Sequence, residues 1–282
     1  MKKTIIKIIS IISIIILLTS TMYVSATSNR KNSIRPNVTI ENVNNSLKKK
    51  ITFIKPEQNK KNEIKNISVP VLLYHEVNDN PQDVYSISTN DFREQMQYLK
   101  DNQYIPISIT KFDMLMDNKI NVRDKKYVLI TFDDGCLNAF ENAVPILKSF
   151  NFEATFFITT SIIDTDGYIN MKQLKQLNRD FDVQSHTFDH PWLTNLNYAE
   201  QIENLQKANN FFDKNLNKRV RYIAYPHGDC NIDTVIAAKE VGMKLGFICN
   251  DGASNSLDNP MAMNRQIVWR GITIKEFEVI IK

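Results

Sequence analysis

Tyr127-Val128-Leu129-Ile130-Thr131-Phe132-Asp133-Asp134-Gly135 carries more of the fold than any other stretch of this 282-residue chain. Its first four residues are apolar and read as a strand, which delivers two carboxylates together at its end with a glycine to turn the chain. Outward from it, beginning at Val69, short runs rich in Val, Ile, Phe and Tyr alternate with longer amphipathic segments. Strands are predicted at 69–74, 127–131, 154–159, 181–184, 221–224, 245–249 and 266–269. Helical patterns occupy 90–102, 138–150, 171–177, 198–215, 232–241 and 273–281, with Asn90 as N-cap ahead of Phe92, Met96 and Leu99. Strict alternation implies an α/β fold with a parallel sheet, open or closed into a barrel. Either arrangement puts its active site beyond the C-terminal ends of the strands.

With 43% hydrophobic and 23% charged residues, the composition is that of a globular protein. The net charge of +4 conceals an asymmetry: residues 1–66 hold 13 Lys/Arg against 3 Asp/Glu, whereas residues 67–282 hold 22 against 28. A nucleic-acid binder needs positive charge on the folded surface that meets the phosphates, so nucleic acid is not an expected partner. The basic stretch suits an anionic cell wall or membrane surface, or is solvated charge without a partner. Lys2 and Lys3 precede an apolar run from Ile5 to Leu18, and Val24-Ser25-Ala26 supplies small residues for cleavage, so residues 1–26 read as an export signal. The protein is therefore expected to be secreted or associated with the cell surface. If the signal is retained it becomes a membrane anchor, although the run is short against the roughly 20 residues of a span. Residues 27–66, rich in Asn, Lys and Ser, read as a flexible linker, and residues 67–282 as a single domain. Cys136, Cys230 and Cys249 are too few and too scattered for a disulfide framework and read as free thiols.

Two adjacent carboxylates at a strand end can divide their work, one on a metal and the other on a proton; in isolation an Asp-Asp-Gly is more often a polar turn. Ser185-His186-Thr187-Phe188-Asp189-His190 follows another predicted strand. Imidazoles four positions apart converge on one ion if the segment makes a helical or looped turn. The chain has four histidines, and His75, His186, His190 and His227 all fall directly after predicted strands. Together these residues suggest an Asp/His/His site with open positions for water and a substrate oxygen. Such a site is catalytic in type, because a closed structural zinc takes four protein ligands. A divalent ion lowers the pKa of bound water to around 7 and polarises a carbonyl, as amide hydrolysis requires, and the second carboxylate then serves as base.

These two segments closely resemble the first two motifs of the polysaccharide deacetylases, carbohydrate esterase family 4, also called the NodB-homology domain. The resemblance covers about residues 69–282. It implies a distorted (β/α) barrel of about seven parallel strands, with Asp133 as general base and Asp134, His186 and His190 holding one divalent ion. Zinc is the expected ion, with cobalt or nickel as alternatives. The third motif departs from the family pattern: Ala224-Tyr225-Pro226-His227-Gly228 lacks the Arg that many members carry shortly before it. The chain is similar instead to the branch that acts on poly-β-1,6-N-acetylglucosamine of biofilm matrices. Motifs in that branch are circularly shifted and begin with an apolar strand ending in Tyr-His, as in Val71-Leu72-Leu73-Tyr74-His75. By that resemblance His75 is the general acid and Arg265 holds Asp133; the alternatives are a core histidine and a surface salt bridge. His227 takes the position whose backbone N–H helps bind the oxyanion, next to Tyr225. Trp192 and Tyr225 are either stacking faces for a sugar or core aromatics.

The expected activity is hydrolytic removal of N-acetyl groups from N-acetylglucosamine residues of an extracellular polysaccharide, releasing acetate. Motifs set the chemistry and not the polymer, so peptidoglycan and chitin oligosaccharides stay open as substrates. A non-catalytic carbohydrate-binding wall protein of the same fold is the reading from another class. A zinc peptidase is disfavoured by the lack of a His-Glu-x-x-His segment.

Overall fold

The computed structural model describes residues 66–120 and 125–282. The expected export signal lies outside them, as does the linker except for its last residue. In chain order the strands are β1 (Ser68–Val69), β2 (Val71–Tyr74), β3 (Glu76–Val77), β4 (Ser86–Ile87), β5 (Tyr104–Pro106), β6 (Lys126–Phe132), β7 (Thr155–Ile158), β8 (Asp182–Ser185), β9 (Tyr222–Ala224), β10 (Leu245–Phe247), β11 (Ser254–Asn255) and β12 (Gln266–Ile267). The α-helices are α1 (Thr89–Asp101), α2 (Ile109–Met116), α3 (Val144–Phe150), α4 (Met171–Asp180), α5 (Tyr198–Leu216), α6 (Ile232–Glu240) and α7 (Ile274–Ile280).

Seven strands pair in parallel in the order β10-β9-β8-β7-β6-β2-β12. The sheet curls until its edges meet. Met263, just ahead of β12, bridges Phe247 at the end of β10. Met263 N–H donates to Gly246 O at 2.8 Å, and Ile248 N–H to Met263 O at 2.9 Å. These two bonds form a seam, and the architecture is the expected distorted (β/α) barrel.

Alternate residues of the strands feed two apolar layers, as a period of two demands. Leu72, Tyr74, Val128, Ile130, Phe132, Phe156 and Ile158 join the layer packed by α1, α3 and α7. Val71, Tyr127, Leu129, Phe157, Leu245 and Phe247 form the other, together with Ile109, Phe112, Leu115 and Met116 of α2. Because β5, directly before α2, pairs with the first residues of β6, α2 stands at the N-terminal mouth of the barrel. Its Asp113 accepts hydrogen bonds there from Tyr222 Oη at 3.0 Å and Lys244 Nζ at 2.6 Å. The opposite mouth is left to the polar strand ends.

Several local expectations are corrected. The cap of α1 is Ser88, whose side chain accepts from Asp91 N–H at 2.9 Å, while Asn90 lies inside the first turn. The apolar register nevertheless holds, with Phe92, Met96 and Leu99 all buried. The helical pattern at 138–150 is wound as a π-turn over Ala139–Ala143 before α3, with Val144 N–H donating five residues back to Ala139 O. Pro145, which has no N–H to give, follows directly. Strict alternation is interrupted by the small parallel pair β3-β4 and by β5-α2. The last strands are shorter than predicted because the chain leaves the sheet at Ile248 and Val268.

Candidate active site

β6 ends at Phe132, and Asp133 N–H is tied to Tyr74 O of β2 at 2.9 Å. Asp134 then turns the chain with φ of 70°, and its carbonyl accepts from Thr159 N–H at the end of β7 at 3.1 Å. The two carboxylates consequently point to different partners. Asp133 is engaged by Arg265 through both oxygens: Nη1 to Oδ1 and Nη2 to Oδ2 are each 2.7 Å. Asp134 Oδ1 is buried without a hydrogen-bond donor and faces two imidazoles, His186 Nε2 at 3.3 Å and His190 Nε2 at 3.4 Å.

Both histidines come from a loop rather than a helix. His186 N–H donates to Ile158 O at 2.9 Å, Thr187 has φ of 70°, and His190 has φ of 57° with its N–H on Thr187 Oγ1 at 3.1 Å. Left-handed backbone at a β-branched residue is costly and persists only where the surroundings over-determine it. Here the clamp is Asn204 of α5, which accepts from Phe188 N–H at 3.0 Å and donates to Asp189 Oδ1 at 2.5 Å. Sequence reading missed Asn204. The available signal was a polar pair, Gln201 and Asn204, on the face of α5 that also buries Leu205, Ala208 and Phe212.

Arg265 is 1% exposed, so its pair with Asp133 is a buried one and not a surface salt bridge. Its position follows from the seam: Met263 is level with Phe247, which sets Arg265 level with Cys249 above the end of β10. Arg265 Nε donates to Ile248 O at 3.4 Å, and Nη2 lies 3.9 Å from Cys249 Sγ. It therefore precedes its own strand, unlike the other site residues. His75 stands one residue beyond β2, half-buried, with its ring against Tyr85. Burial lowers its pKa, and Asp133 and Asp134 offset that only in part.

His227 has φ of 61° and is exposed, with Trp192 stacked flat on its ring. Tyr225 is fully buried in the helix-side layer, so the stacking face considered for it is turned away from any ligand. The three cysteines are free thiols. Gly228, at φ of 69°, allows this turn to lie against Cys249, where an added Cβ would sit 2.7 Å from the backbone nitrogen. Gly228→Ala is expected to cost about 2 kcal/mol or more in urea unfolding; an unchanged midpoint would mean the turn moves freely.

The comparisons with known proteins fit this geometry. Residues 121–246 match the family model for polysaccharide deacetylase. This stretch is a polysaccharide deacetylase domain. Over 215 residues, 76% of either chain, it is 28% identical to YxkH of Bacillus subtilis, which carries the same family description. It is 29% identical over 199 residues to the poly-β-1,6-N-acetyl-D-glucosamine N-deacetylase of Staphylococcus aureus, covering 65% of this chain and 68% of that one. Among solved structures, the Streptococcus pyogenes deacetylase PplD in complex with acetate superposes with a TM-score of 0.72 at 25% identity. That match covers 77% of this chain and all of the other. With that domain and these homologues, the protein is a hydrolytic deacetylase.

The donor set of this deacetylase fits a divalent cation. One ligand atom from each of Asp134, His186 and His190 lies within 4.8 Å of the other two. His186 Nδ1 is 2.8 Å from Ala224 O, which keeps the hydrogen of the neutral ring on Nδ1. Its Nε2 lone pair then faces the lone pairs of Asp134 Oδ1, an arrangement relieved only by a proton or a cation between them. The electrostatics agree. Burial works against a charged His186, yet Asp133 and Asp134 outweigh it and raise its pKa. His190 is pushed down to about 4 by burial and by the neighbouring His186, so it is neutral and ready to donate at neutral pH. Burial also opposes ionisation of Asp134, but His186 and the other histidines hold it well below the usual carboxylate range.

Proposed function

We propose that this chain is an exported, divalent-cation-dependent hydrolase that removes N-acetyl groups from poly-β-1,6-N-acetylglucosamine. The observation that carries the chemistry is the divergence of two neighbouring aspartates: Asp133 is gripped by Arg265, whereas Asp134 turns its buried Oδ1 to two imidazoles. Similarity to the Staphylococcus aureus enzyme supports the choice of polymer. The apolar run near the N-terminus supports export, and the basic residues of 27–66 support contact with an anionic wall or membrane.

A cation held by Asp134, His186 and His190, most simply zinc, supplies Lewis acidity toward the acetyl carbonyl and toward water. Asp133 takes the proton of the attacking water. Burial alone would raise its pKa, but Arg265 dominates and lowers it, so the carboxylate is ionised and fixed in orientation. The backbone N–H of His227 is the proposed donor to the oxyanion. His75, which must gain its proton against a lowered pKa, gives it to the amide nitrogen as the C–N bond breaks, and acetate and a free amine leave. An acid and a base thus flank the scissile bond with different environments. The amine is largely cationic near neutral pH, and the acidic domain favours such a product electrostatically.

The test is acetate release from poly-β-1,6-N-acetylglucosamine, chitin oligomers and peptidoglycan by the zinc-reconstituted chain, with and without chelator. Highest kcat/KM on the first polymer and loss of rate with chelator are expected. Preference for peptidoglycan or chitin would reassign the substrate, and chelator-insensitive turnover would remove the cation.

Cation uptake should also displace a proton. With the pKa of His186 raised above 6.5, the ring is largely protonated below that raised value, and zinc must expel the proton. Affinity is expected to fall as pH drops through the raised pKa. Calorimetry at pH 6 in buffers of different ionisation enthalpy is expected to show release of about one proton per zinc. Buffer-independent heat would take His186 out of the ligand set.

A further inference from the structure

Charge is sorted between the two mouths of the barrel. The segments at the catalytic mouth, 75–88, 133–138, 159–170, 186–197, 225–231, 248–253, 263–265 and 268–273, hold ten Asp/Glu against Arg265 and Arg270. At the opposite mouth the helix-to-strand connections reverse the sign. Their described residues hold Lys119, Lys125, Lys218, Arg219, Arg221 and Lys244 against Asp117 and Glu153, and the loop after β11, beside β1, adds Asp258.

Part of this positive charge is neutralised in place. Lys119, Lys218 and Lys244 pair with Asp117, Asp182 and Asp113 at 2.7, 2.6 and 2.6 Å. Arg219 and Arg221 are exposed and have no ion-pair partner among the described residues. Lys111 Nζ lies 4.7 Å over the Tyr127 ring and Lys126 Nζ 5.2 Å over that of Tyr104, contacts that orient a cation without cancelling it. The same mouth also shows apolar side chains to solvent. Met114 of α2 and Ile105 of β5 are 38% and 36% exposed, whereas Ile109, Phe112, Leu115 and Met116 bury the other side of α2.

Unpaired cations alone would suit any phosphate polymer; protruding apolar side chains among them are the pattern of a face seated at the headgroups of a bilayer. The course of the chain agrees. Ile67 packs with Ile109 and Phe112 of α2, so the chain coming from the expected export signal enters the domain at this mouth. A body with opposite charge at its two ends also orients itself near an anionic surface. Within roughly a Debye length, about 8–10 Å, its basic end is drawn in and its acidic end is pushed away.

We propose that the N-terminal mouth of the barrel is a docking face for an anionic lipid bilayer. Arg219, Arg221, Lys111, Lys125 and Lys126 meet headgroup phosphates, and Met114 and Ile105 reach the boundary of the acyl chains. The catalytic mouth is thereby held outward, toward the polymer. This rests on the exported-hydrolase reading above and adds to it a face of the domain and an orientation.

The experiment is co-sedimentation of the zinc-loaded chain from Thr27 onward with vesicles of mixed phosphatidylglycerol and phosphatidylcholine, and of phosphatidylcholine alone. Binding to the first and not the second is expected, with release by high salt. Arg219→Glu/Arg221→Glu, which leaves residues 27–66 intact, should weaken that binding about 10- to 100-fold. Acetate release from a soluble oligomer should stay at the wild-type rate, because both residues lie at the far end of the barrel. For orientation, Met114→Trp should gain emission that brominated anionic lipid quenches, whereas Ile232→Trp, at the start of α6 on the catalytic side, should gain emission that it does not. Wild-type vesicle affinity in the double variant would overturn the docking face and leave the deacetylase reading standing. So would binding to soluble poly(glycerol phosphate) but not to vesicles, or quenching at Ile232→Trp in place of Met114→Trp. Absence of acetate release by wild type in solution would strike the deacetylase reading instead.

Discussion

Asp133→Asn is expected to lower kcat on acetylated glucosamine oligomers by about 10²- to 10⁴-fold, the range of general acid–base contributions, with zinc affinity within severalfold of wild type. The amide keeps the shape of the carboxylate and an oxygen for Arg265, but it cannot take a proton from water. Asp134→Asn should behave in the opposite way. It removes the charge that faces His186 and His190 at 3.3 and 3.4 Å, so zinc affinity falls first and rate falls as a consequence. Calorimetric zinc titration of both variants, alongside single-turnover acetate release, separates the roles. If Asp133→Asn lost zinc while Asp134→Asn retained it, the assignments would have to be exchanged.

Arg265→Met should destabilise the domain by about 3–5 kcal/mol at neutral pH, the cost of leaving one partner of a buried ion pair behind. Against a typical total of about 5–15 kcal/mol this is a large share. The sign with pH is specific. In wild type Arg265 overcomes burial and depresses the pKa of Asp133 below its unfolded value near 3.8, so the pair contributes stability above that value and loses it as pH falls through the folded pKa. Without Arg265, burial is opposed only by His186 and His75, and the pKa of Asp133 rises. The penalty is then full at neutral pH and shrinks toward pH 4 and below, where the carboxyl is neutral in both states. Urea unfolding across this range measures the trend. The double variant Asp133→Asn/Arg265→Met should regain part of the stability and none of the activity. A loss below about 1 kcal/mol in Arg265→Met would mean that solvent reaches the pair.

The barrel was readable because its strands are apolar runs ending in polar residues, and the same strand ends exposed Asp133, Asp134, His186 and His190 as candidates. What local pattern does not carry is the barrel's closure. Arg265 lies 132 positions from Asp133, and only the Met263–Phe247 register brings it to the carboxylate; resemblance pointed to it, periodicity did not. Helix α2 was missed because eight residues are short for a periodic signal and its apolar side faces a barrel mouth rather than a sheet. Ser88 in place of Asn90 is a two-residue ambiguity between good capping residues. Tyr225 went into the core because Gly246, the neighbour of its ring, leaves room that no other residue would.

Four residues of the site other than glycine, Asp134, Thr187, His190 and His227, hold left-handed backbone. Each costs of order 1–3 kcal/mol, a burden the rest of the barrel carries. Evolution under heat alone would find easy improvement here: glycine at Thr187 or His227 would relax the chain and raise the melting temperature while blunting turnover. Thermostability and activity are thus set against each other at this corner of the barrel.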